Sequence, residues 1–146
     1  MWYYGKSIVE DIPDKYKAFV YLITNLENGR QYIGLKLTKF SKTRQVKGKK
    51  KKTKVESDWR TYWSSSVELQ ADVEKYGEDA FRREILYFCL NKGTANYLEA
   101  REQFDRRVLE NPAKFYNGII NCRVHKAHIK LHDTWPGSTA GYTKAK

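Results

Sequence analysis

The pattern of apolar and polar positions predicts three strands and two helices, in the order strand, strand, helix, strand, helix. Residues 18–24 are rich in aromatic and β-branched side chains, and Asn28-Gly29 follows them as a hairpin signal. The return strand would cover residues 30–34, and a third strand residues 81–90. Five alternating residues predict one face of that third strand: Phe81, Arg83, Ile85, Tyr87 and Cys89.

The hairpin signal also predicts a register. If Asn28-Gly29 forms a two-residue type I′ turn, Asn25 pairs with Tyr32. Because side chains alternate between the faces of a sheet, Tyr21 and Tyr32 would then share one face, about 13 Å apart along the strands. A one-residue bulge would move one of them to the opposite face.

Capping signals place the two helices. Ser65 is followed three residues later by Glu68, which is a capping-box pattern, and Gly77 suits the end of this helix. Thr94 can cap a second helix that continues to about Leu109. The five elements together predict an α+β fold.

Length and composition favour one domain. The chain has 146 residues, of which 40% are hydrophobic, so it can bury a core and is not disordered throughout. We expect an N-terminal arm over residues 1–16, a folded domain over 17–123 and an irregular polar tail over 124–146. No apolar run reaches membrane-spanning length and no secretory signal pattern is present, which favours an intracellular protein, cytoplasmic or nucleoid-associated. Cys89 and Cys122 lie too far apart in sequence to suggest a zinc knuckle or a disulfide framework.

The charge is concentrated in one segment. Of a net charge of +11, ten basic residues lie between Lys36 and Lys54 with no acidic residue among them, so the rest of the chain is nearly neutral. We predict a mobile basic loop over residues 36–56 that contacts the phosphates of a nucleic acid. A solvating or nuclear-targeting run is the alternative. The predicted DNA-contacting residues are Lys36, Arg44, Lys49, Lys50, Lys51 and Lys52.

Glu102 lies beside the apolar positions Leu98 and Leu109 of the second predicted helix, so its carboxylate needs a partner. Two interpretations remain open from the spacing alone. One is a salt bridge to Arg101 or Arg106. The other is a hard divalent cation, which can hold a phosphate with only one or two protein carboxylates.

Three histidines of the tail, His125, His128 and His132, have the spacing of metal ligands on one helix face. Pro136 and the nearby glycines argue against a long helix here. We therefore favour a DNA-facing or solvated tail over a zinc site, with His125 or His128 as a candidate auxiliary proton carrier.

Several short motifs follow one another at regular spacing. They are Phe19-Val20-Tyr21, Gln31-Tyr32-Ile33-Gly34, Lys75-Tyr76-Gly77 with Phe81, Glu99-Ala100-Arg101-Glu102-Gln103-Phe104, and Tyr116-Asn117. In this order, and over roughly residues 18–122, the chain resembles the GIY-YIG nuclease family. Of the first motif only Tyr21 is retained, whereas the second motif is intact.

The resemblance implies a three-stranded antiparallel sheet flanked by helices, here with a long basic insertion. It implies hydrolysis of a DNA phosphodiester with one divalent cation, Mg²⁺ or Mn²⁺, bound by Glu102. Tyr21 would act as general base or proton relay for the attacking water, Tyr32 would position that water, and Asn117 would brace the site, with Asn121 as fallback. Because an unperturbed tyrosine has a pKa of about 10, Tyr21 would need nearby cations to work near neutral pH.

The phosphate-binding arginine of the family has no obvious counterpart, because the basic segment follows the second motif. We predict Arg60 for this role, since it lies where ordered structure resumes and a catalytic group must be held in place. Arg44 and Lys36 are the alternatives.

The sequence thus predicts a DNA endonuclease. We expect double-stranded DNA as the substrate and no small-molecule cofactor. A phage or a mobile element is a candidate source. A catalytically silent DNA-binding module on the same fold is the competing hypothesis. An RNA-binding structural protein is less favoured, because no RNP or GXXG motif is present. The pattern indicates neither the oligomeric state nor the cleavage sequence.

Overall fold

The computed structural model describes residues 1–130, except for the side chains of Lys42, Arg44, Val46, Lys51 and Lys52. Residues 131–146 of the predicted tail, including His132, therefore lie outside the described residues. Within them, no helix is long and apolar enough to cross a membrane.

The described chain forms a five-stranded sheet, two helices and a separate two-stranded hairpin, which confirms the predicted α+β class. The sheet is larger than the predicted three strands and has the order β2-β1-β7-β3-β4, in which only the β1 and β7 pair is parallel. The elements are β1 (Trp2–Tyr4), β2 (Ser7–Val9), β3 (Ala18–Asn25), β4 (Gln31–Leu37), β5 (Lys39–Val46), β6 (Lys49–Glu56), α1 (Val67–Tyr76), β7 (Phe81–Cys89) and α2 (Lys92–Asp105).

The first residues of the chain belong to the sheet. Trp2 is 1% exposed, and its indole nitrogen donates a hydrogen bond to the carbonyl of Trp59 at 2.7 Å. Its ring packs edge-on against Phe19 and Tyr21. Burial of this aromatic surface ties β1 to the sheet, so the predicted arm contributes two strands and part of the core.

The hairpin of β3 and β4 has a longer turn than predicted. The amide of Gly29 donates to the carbonyl of Asn25, and the amide of Asn25 donates to the carbonyl of Arg30, so the loop covers residues 26–29. Tyr32 consequently pairs with Ile23 and not with Asn25. This shift of two residues preserves the faces, because side chains alternate with a period of two, and it brings Tyr32 closer to Tyr21.

A β-bulge between β3 and β7 divides the predicted face of the third strand. The register shifts between Val20 and Tyr21, which pair with Tyr87 and Ile85. Ile85 lies with Tyr21 in one core cluster, whereas Tyr87 lies with Val20 in a second cluster on the other side of the sheet. The prediction that Tyr87 and Cys89 share the face of Ile85 is therefore wrong, since one extra residue reverses the alternation.

Both helices begin one to three residues from the predicted caps. Ser66, not Ser65, caps α1 by accepting a hydrogen bond from the amide of Leu69, and Asn91, not Thr94, caps α2 by accepting from the amide of Thr94. The α2 helix packs on β3, β4 and β7 and covers the second core cluster. It ends at Asp105, four residues earlier than predicted.

The basic segment forms a hairpin and not the predicted loop. Strands β5 and β6 pair antiparallel along their full length, and Lys47 and Gly48 at the turn both have positive φ angles, of 51° and 76°. Such angles are typical of a type I′ turn, which matches the twist of the flanking strands. At the base, the Ser57 hydroxyl donates to the carbonyl of Leu37 at 2.6 Å, and this contact anchors the hairpin to β4.

Candidate active site

The phenol end of Tyr21 lies close to the backbone of Gly34, the residue that pairs with it on β4. A Cβ atom at Gly34 would lie 2.6 Å from Cζ of Tyr21 and 2.9 Å from Cε1 of Tyr32. Any larger residue would therefore displace both phenols. The glycine of the second motif creates the space that the tyrosine pair occupies.

Three tyrosines surround this space. The rings of Tyr21 and Tyr32 are stacked with centroids 6.2 Å apart, and the Tyr62 ring meets Tyr21 edge-on at 6.1 Å. Tyr32 also hydrogen-bonds to Ser65. The sequence predicted the first two tyrosines on one face, and the segment after the hairpin supplies Tyr62, which was not predicted as a site residue.

The surroundings of the tyrosines keep them protonated. Burial is the main cause that raises the pKa of Tyr21 well above its usual value, and the phenols of Tyr32 and Tyr62, the carboxylate of Glu99 and a hydrogen bond with Tyr62 raise it further. Burial also raises the pKa of Tyr32, against the opposing effect of its hydrogen bond with Ser65. Desolvation of the phenolate dominates at Tyr21, so the requirement for nearby cations, if Tyr21 is to act as a base near neutral pH, stays a prediction.

Glu99 of α2 is the carboxylate whose charge acts on this tyrosine pair. Burial raises its pKa from the usual value to about 7, and a hydrogen bond from the backbone of Leu35 opposes the increase. A carboxylate with this pKa is partly protonated at neutral pH, so a divalent cation can readily replace the proton. Its oxygens are hard donors, and these fit Mg²⁺ or Mn²⁺.

Glu102, the glutamate predicted from sequence, has other partners. Its carboxylate accepts hydrogen bonds from the hydroxyl of Tyr87 at 2.5 Å and from Nε of Arg106 at 2.9 Å. The salt bridge to Arg106 that the spacing left open is therefore present. Three helical residues turn through about 300°, so Glu99 and Glu102 lie on adjacent faces about 60° apart. Because the motif contains both glutamates, its spacing alone could not select between them.

Lys36 brings a positive charge to the edge of the tyrosine cluster. It is 8% exposed, and its Nζ lies 3.9 Å from the centroid of the Tyr62 ring and 2.6 Å from Oδ1 of Asp58. The hydrogen bond from Lys36 is the main cause that lowers the pKa of Asp58. Since the carboxylate of Asp58 is largely exposed, this ion pair can open at little cost.

Arg60 lies at the surface between the N-terminal residues and the basic hairpin. Its guanidinium hydrogen-bonds to the carboxylates of Asp11 and Glu56 and to the carbonyl of Glu10, and it stacks 4.4 Å from the Trp59 ring. The two carboxylates raise the pKa of Arg60. Hydrogen-bond acceptors of the protein thus already surround Arg60, the predicted phosphate-binding residue. The side chain of Arg44, the alternative, is outside the described part of the chain.

Asn117 hydrogen-bonds to the outer edge of β4 beside the site. Its side-chain oxygen accepts from the amide of Ile33 at 3.0 Å, and its nitrogen donates to the carbonyl of the same residue at 2.8 Å. The amide side chain thus continues the sheet by one pair of hydrogen bonds at the residue between Tyr32 and Gly34. Asn121, the fallback, is exposed.

Arg83 was not predicted as part of the site, yet it positions Tyr62. It is 3% exposed, its guanidinium lies 4.7 Å from the Trp2 ring and 4.2 Å from the Trp63 ring, and its NH1 group donates to the carbonyl of Tyr62 at 2.7 Å. Burial lowers its pKa to about 10. The alternation of β7 placed Arg83 on the core face, but its contact with Tyr62 depends on a tertiary approach that the spacing does not contain.

Of the three histidines, the described residues include His125 and His128. Lys126–His128 is a single 3-10 turn, the rings of His125 and His128 are 6.0 Å apart, and the carbonyl of His128 accepts a hydrogen bond from Asn91 at the start of α2. Over residues 1–130, no group of three His, Cys, Asp or Glu side chains could hold a metal ion.

Comparison with known proteins identifies the family of the chain. A family model described as "Putative endonuclease segE, GIY-YIG domain" matches residues 2–120. A relative from Enterobacteria phage T4, "Putative endonuclease segD", is 29% identical over 119 residues, which are 82% of this chain and 45% of that protein. The chain thus spans about half the length of this relative. No solved structure matches it. Because this family model covers most of the chain, the protein belongs to the GIY-YIG domain family of segE.

Proposed function

We propose that this protein is a metal-dependent endonuclease that hydrolyses DNA phosphodiester bonds at the site formed by Tyr21, Tyr32 and Glu99. The observation that carries this proposal is the stacked pair of the buried Tyr21 and the half-buried Tyr32 beside the glycine of the second motif, a pair whose pKa values the charge of Glu99 raises. The T4 relative carries the name "Putative endonuclease segD". A purely structural cluster of this kind would not need a carboxylate whose charged form is disfavoured by burial.

DNA is the substrate that the charge distribution favours. The basic hairpin, which includes Lys49 and Lys50, extends from β4 directly beyond Lys36, so a bound phosphate backbone could run from the hairpin to the site. We propose double-stranded DNA as the main substrate. Contacts of this kind are strongly salt-dependent because each one releases a counterion.

Glu99 would hold the divalent cation, with Mg²⁺ or Mn²⁺ as candidates. We favour it over the predicted Glu102, because the Glu102 carboxylate already accepts hydrogen bonds from Tyr87 and Arg106. When bound, the cation stabilises the charge that develops on the phosphate and the leaving oxygen. The residues of the chain would then orient the substrate around it.

Tyr21 would direct the attacking water. Since its pKa is raised, the phenol is protonated near neutral pH, so we assign it the role of orienting the water and relaying a proton and not that of a preformed phenolate base. As the water oxygen forms its bond to phosphorus and the bond to the leaving oxygen breaks, the water would give a proton to the phenol oxygen of Tyr21. Tyr21 would pass its own proton toward the neighbouring Tyr62 and solvent, and the leaving oxygen would take a proton from solvent. Tyr32 stacks on Tyr21 and holds its ring in place. Asn117 braces β4, which carries Tyr32.

Lys36 is the cation that we propose for the scissile phosphate. It is held against Tyr62, whereas Arg60 is occupied by Asp11 and Glu56. The phosphate would replace Asp58 as the partner of the Lys36 ammonium. This exchange preserves one charge-assisted hydrogen bond while it brings the substrate to the tyrosines.

Cleavage of supercoiled plasmid tests the proposal. The wild-type protein should nick or linearise the plasmid with Mg²⁺ or Mn²⁺ and not with EDTA, and Tyr21→Phe should abolish nicking while it retains DNA binding. Salt-sensitive binding of the wild-type protein without cleavage of plasmids or of phage genomic DNA would contradict it and would favour the catalytically silent DNA-binding module.

A further inference from the structure

Gln103 of α2 carries a buried polar atom that the fold leaves unsatisfied. The residue is 4% exposed, and its Nε2 atom donates a hydrogen bond to the carbonyl of Ile33 at 3.1 Å. Its Oε1 atom is buried without a hydrogen-bond partner in the described part of the chain. Because a carbonyl can only accept, the Ile33 oxygen fixes which end of the amide is the nitrogen. Since buried polar atoms are nearly always paired, the oxygen of Gln103 is available to a donor from outside this part of the chain.

The position of Gln103 follows from the outer edge of β4. Strand β4 is the last strand of the sheet, so the backbone groups of alternate residues face outward. The Leu35 backbone hydrogen-bonds to the carboxylate of Glu99, and Ile33 binds both Gln103 and Asn117. Two strand residues span about 6.6 Å, and the helical turn from Glu99 to Gln103 spans about 6 Å. These two side chains of α2 therefore contact neighbouring positions of one strand edge.

The same stretch of β4 carries the tyrosine site. Ile33 is the residue between Tyr32 and Gly34, and the phenol end of Tyr21 lies close to Gly34. The charge of Glu99 acts on both tyrosines. The unsatisfied oxygen one helical turn from Glu99 thus belongs to the surroundings of the carboxylate that we assign to the divalent cation.

We propose that Gln103 positions the divalent cation at Glu99, with its Oε1 atom accepting a hydrogen bond from a water molecule of the cation's hydration shell. Mg²⁺ keeps several of its waters when protein carboxylates bind it. Such waters are strong donors because the ion polarises them, and groups that orient the ligands of a metal ion raise its affinity. The inference rests on the proposed function, since it takes Glu99 as the cation ligand.

Titration of the intact chain with Mn²⁺ tests this role without any cleavage. Free Mn²⁺ gives a strong electron paramagnetic resonance signal that is lost on binding, so the titration measures the affinity. Gln103→Leu should weaken Mn²⁺ binding about tenfold, in the usual range for loss of a group that orients a metal ligand. Gln70→Leu is the matched control, because Gln70 of α1 also donates to a backbone carbonyl, that of Ser64. The control should change the affinity less than about twofold.

Stability without metal separates this role from a purely structural one. In EDTA, Gln103→Leu should keep or raise the melting temperature, because it removes an unsatisfied buried acceptor while Ile33 retains its hydrogen bonds with Asn117. Gln103→Glu should show the reverse pattern. It retains an acceptor oxygen and should bind Mn²⁺ at least as tightly as the wild-type protein. At pH 8 its ionised carboxylate would oppose the Ile33 carbonyl and should lower the melting temperature in EDTA.

The outcomes distinguish this inference from the proposed function. Unchanged Mn²⁺ affinity in Gln103→Leu would overturn the inference and leave the endonuclease intact. Equal loss of affinity in Gln103→Leu and Gln103→Glu would also overturn it, since the hydrogen bond to Ile33 would then be the contact that matters. Absence of Mn²⁺ binding to the wild-type protein, with or without DNA, would overturn both.

Discussion

The two glutamates of α2 make a comparison within one helix. Glu102 is paired with Tyr87 and Arg106, and Glu99, on an adjacent face of the helix, acts on the charges of Tyr21 and Tyr32. Each carboxylate thus has tyrosine neighbours, one at Glu102 and two at Glu99. The two carboxylates differ in how their negative charge is compensated. Arg106 neutralises Glu102, whereas burial raises the pKa of Glu99 to about 7. The first arrangement stabilises the fold, and the second leaves a carboxylate available to a cation.

The largest expected effect separates the two glutamates in catalysis. Glu99→Gln should lower the rate of metal-dependent plasmid cleavage by about 1,000-fold or more, because it removes the proposed cation ligand. Glu102→Gln should lower the rate less than about tenfold. The rates are measured at saturating Mn²⁺, and similar losses in both variants would remove the distinction.

A second comparison uses one tyrosine near each glutamate, Tyr21 near Glu99 and Tyr87 at Glu102. Tyr21→Phe should reduce the cleavage rate by about 100-fold or more, as expected for loss of a proton-transfer group, with little change in DNA affinity. Tyr87→Phe removes a hydroxyl of similar burial that donates to Glu102 and should leave the rate within about threefold. Single-turnover kinetics provides the test, and a rate loss for Tyr87→Phe as large as that for Tyr21→Phe would contradict the account.

The effect of pH should differ between the wild-type protein and Glu99→Gln. Because a cation replaces the proton on Glu99, the Mn²⁺ concentration for half-maximal cleavage should fall as the pH rises from 6 to 8. The raised pKa of Glu99 has the opposite consequence for folding without metal. The contribution of protonated Glu99 to the free energy of unfolding is fully present below the pKa of the unfolded chain. This contribution is lost as the pH rises through about 7.

Glu99→Gln should therefore be more stable than the wild-type protein at pH 8 by about 1–2 kcal/mol, after allowance for the partial exposure of the carboxylate, and the difference should vanish near pH 4. Chemical denaturation in EDTA at the two pH values measures it. A constant difference between the variants at all pH values would show that Glu99 does not titrate as described.

The smallest effect concerns stability on the Glu102 side. Glu102→Gln should destabilise the protein by about 1–3 kcal/mol at pH 7, because Arg106 loses its charged partner, and Arg106 is only partly exposed. The double variant Glu102→Gln with Arg106→Gln should recover part of this loss. Urea denaturation of the three proteins tests the coupling, and strictly additive effects would argue against the pair.

These contrasts show what the sequence could predict. The shared face of Tyr21 and Tyr32 survived a turn two residues longer than expected, because the alternation of a strand depends only on whether the shift is even or odd. The choice between Glu99 and Glu102 could not be made in the same way. Both fit the apolar pattern of α2, and only the packing of the helix on the sheet decides which one lies near the tyrosines.

Other features depend on contacts between distant parts of the chain. The strand at Trp2–Tyr4 has only three residues and pairs in parallel with β7. No local sequence pattern therefore predicts it. The contact of Arg83 with Tyr62 likewise requires the fold to form first. The basic hairpin was missed because its lysine-rich strands have low β-propensity, although Lys47-Gly48 marks the turn.

The position of the cation is the central claim, and affinity cleavage tests it most directly. Fe²⁺ in place of Mg²⁺, with ascorbate and peroxide, generates hydroxyl radicals that cut the protein backbone close to the bound ion, and mass spectrometry locates the cuts. We predict cuts around Tyr21 and Gly34 that excess Mg²⁺ suppresses and that Glu99→Gln abolishes. Cuts centred on Tyr87 and Arg106, abolished by Glu102→Gln and unaffected by Glu99→Gln, would contradict this account.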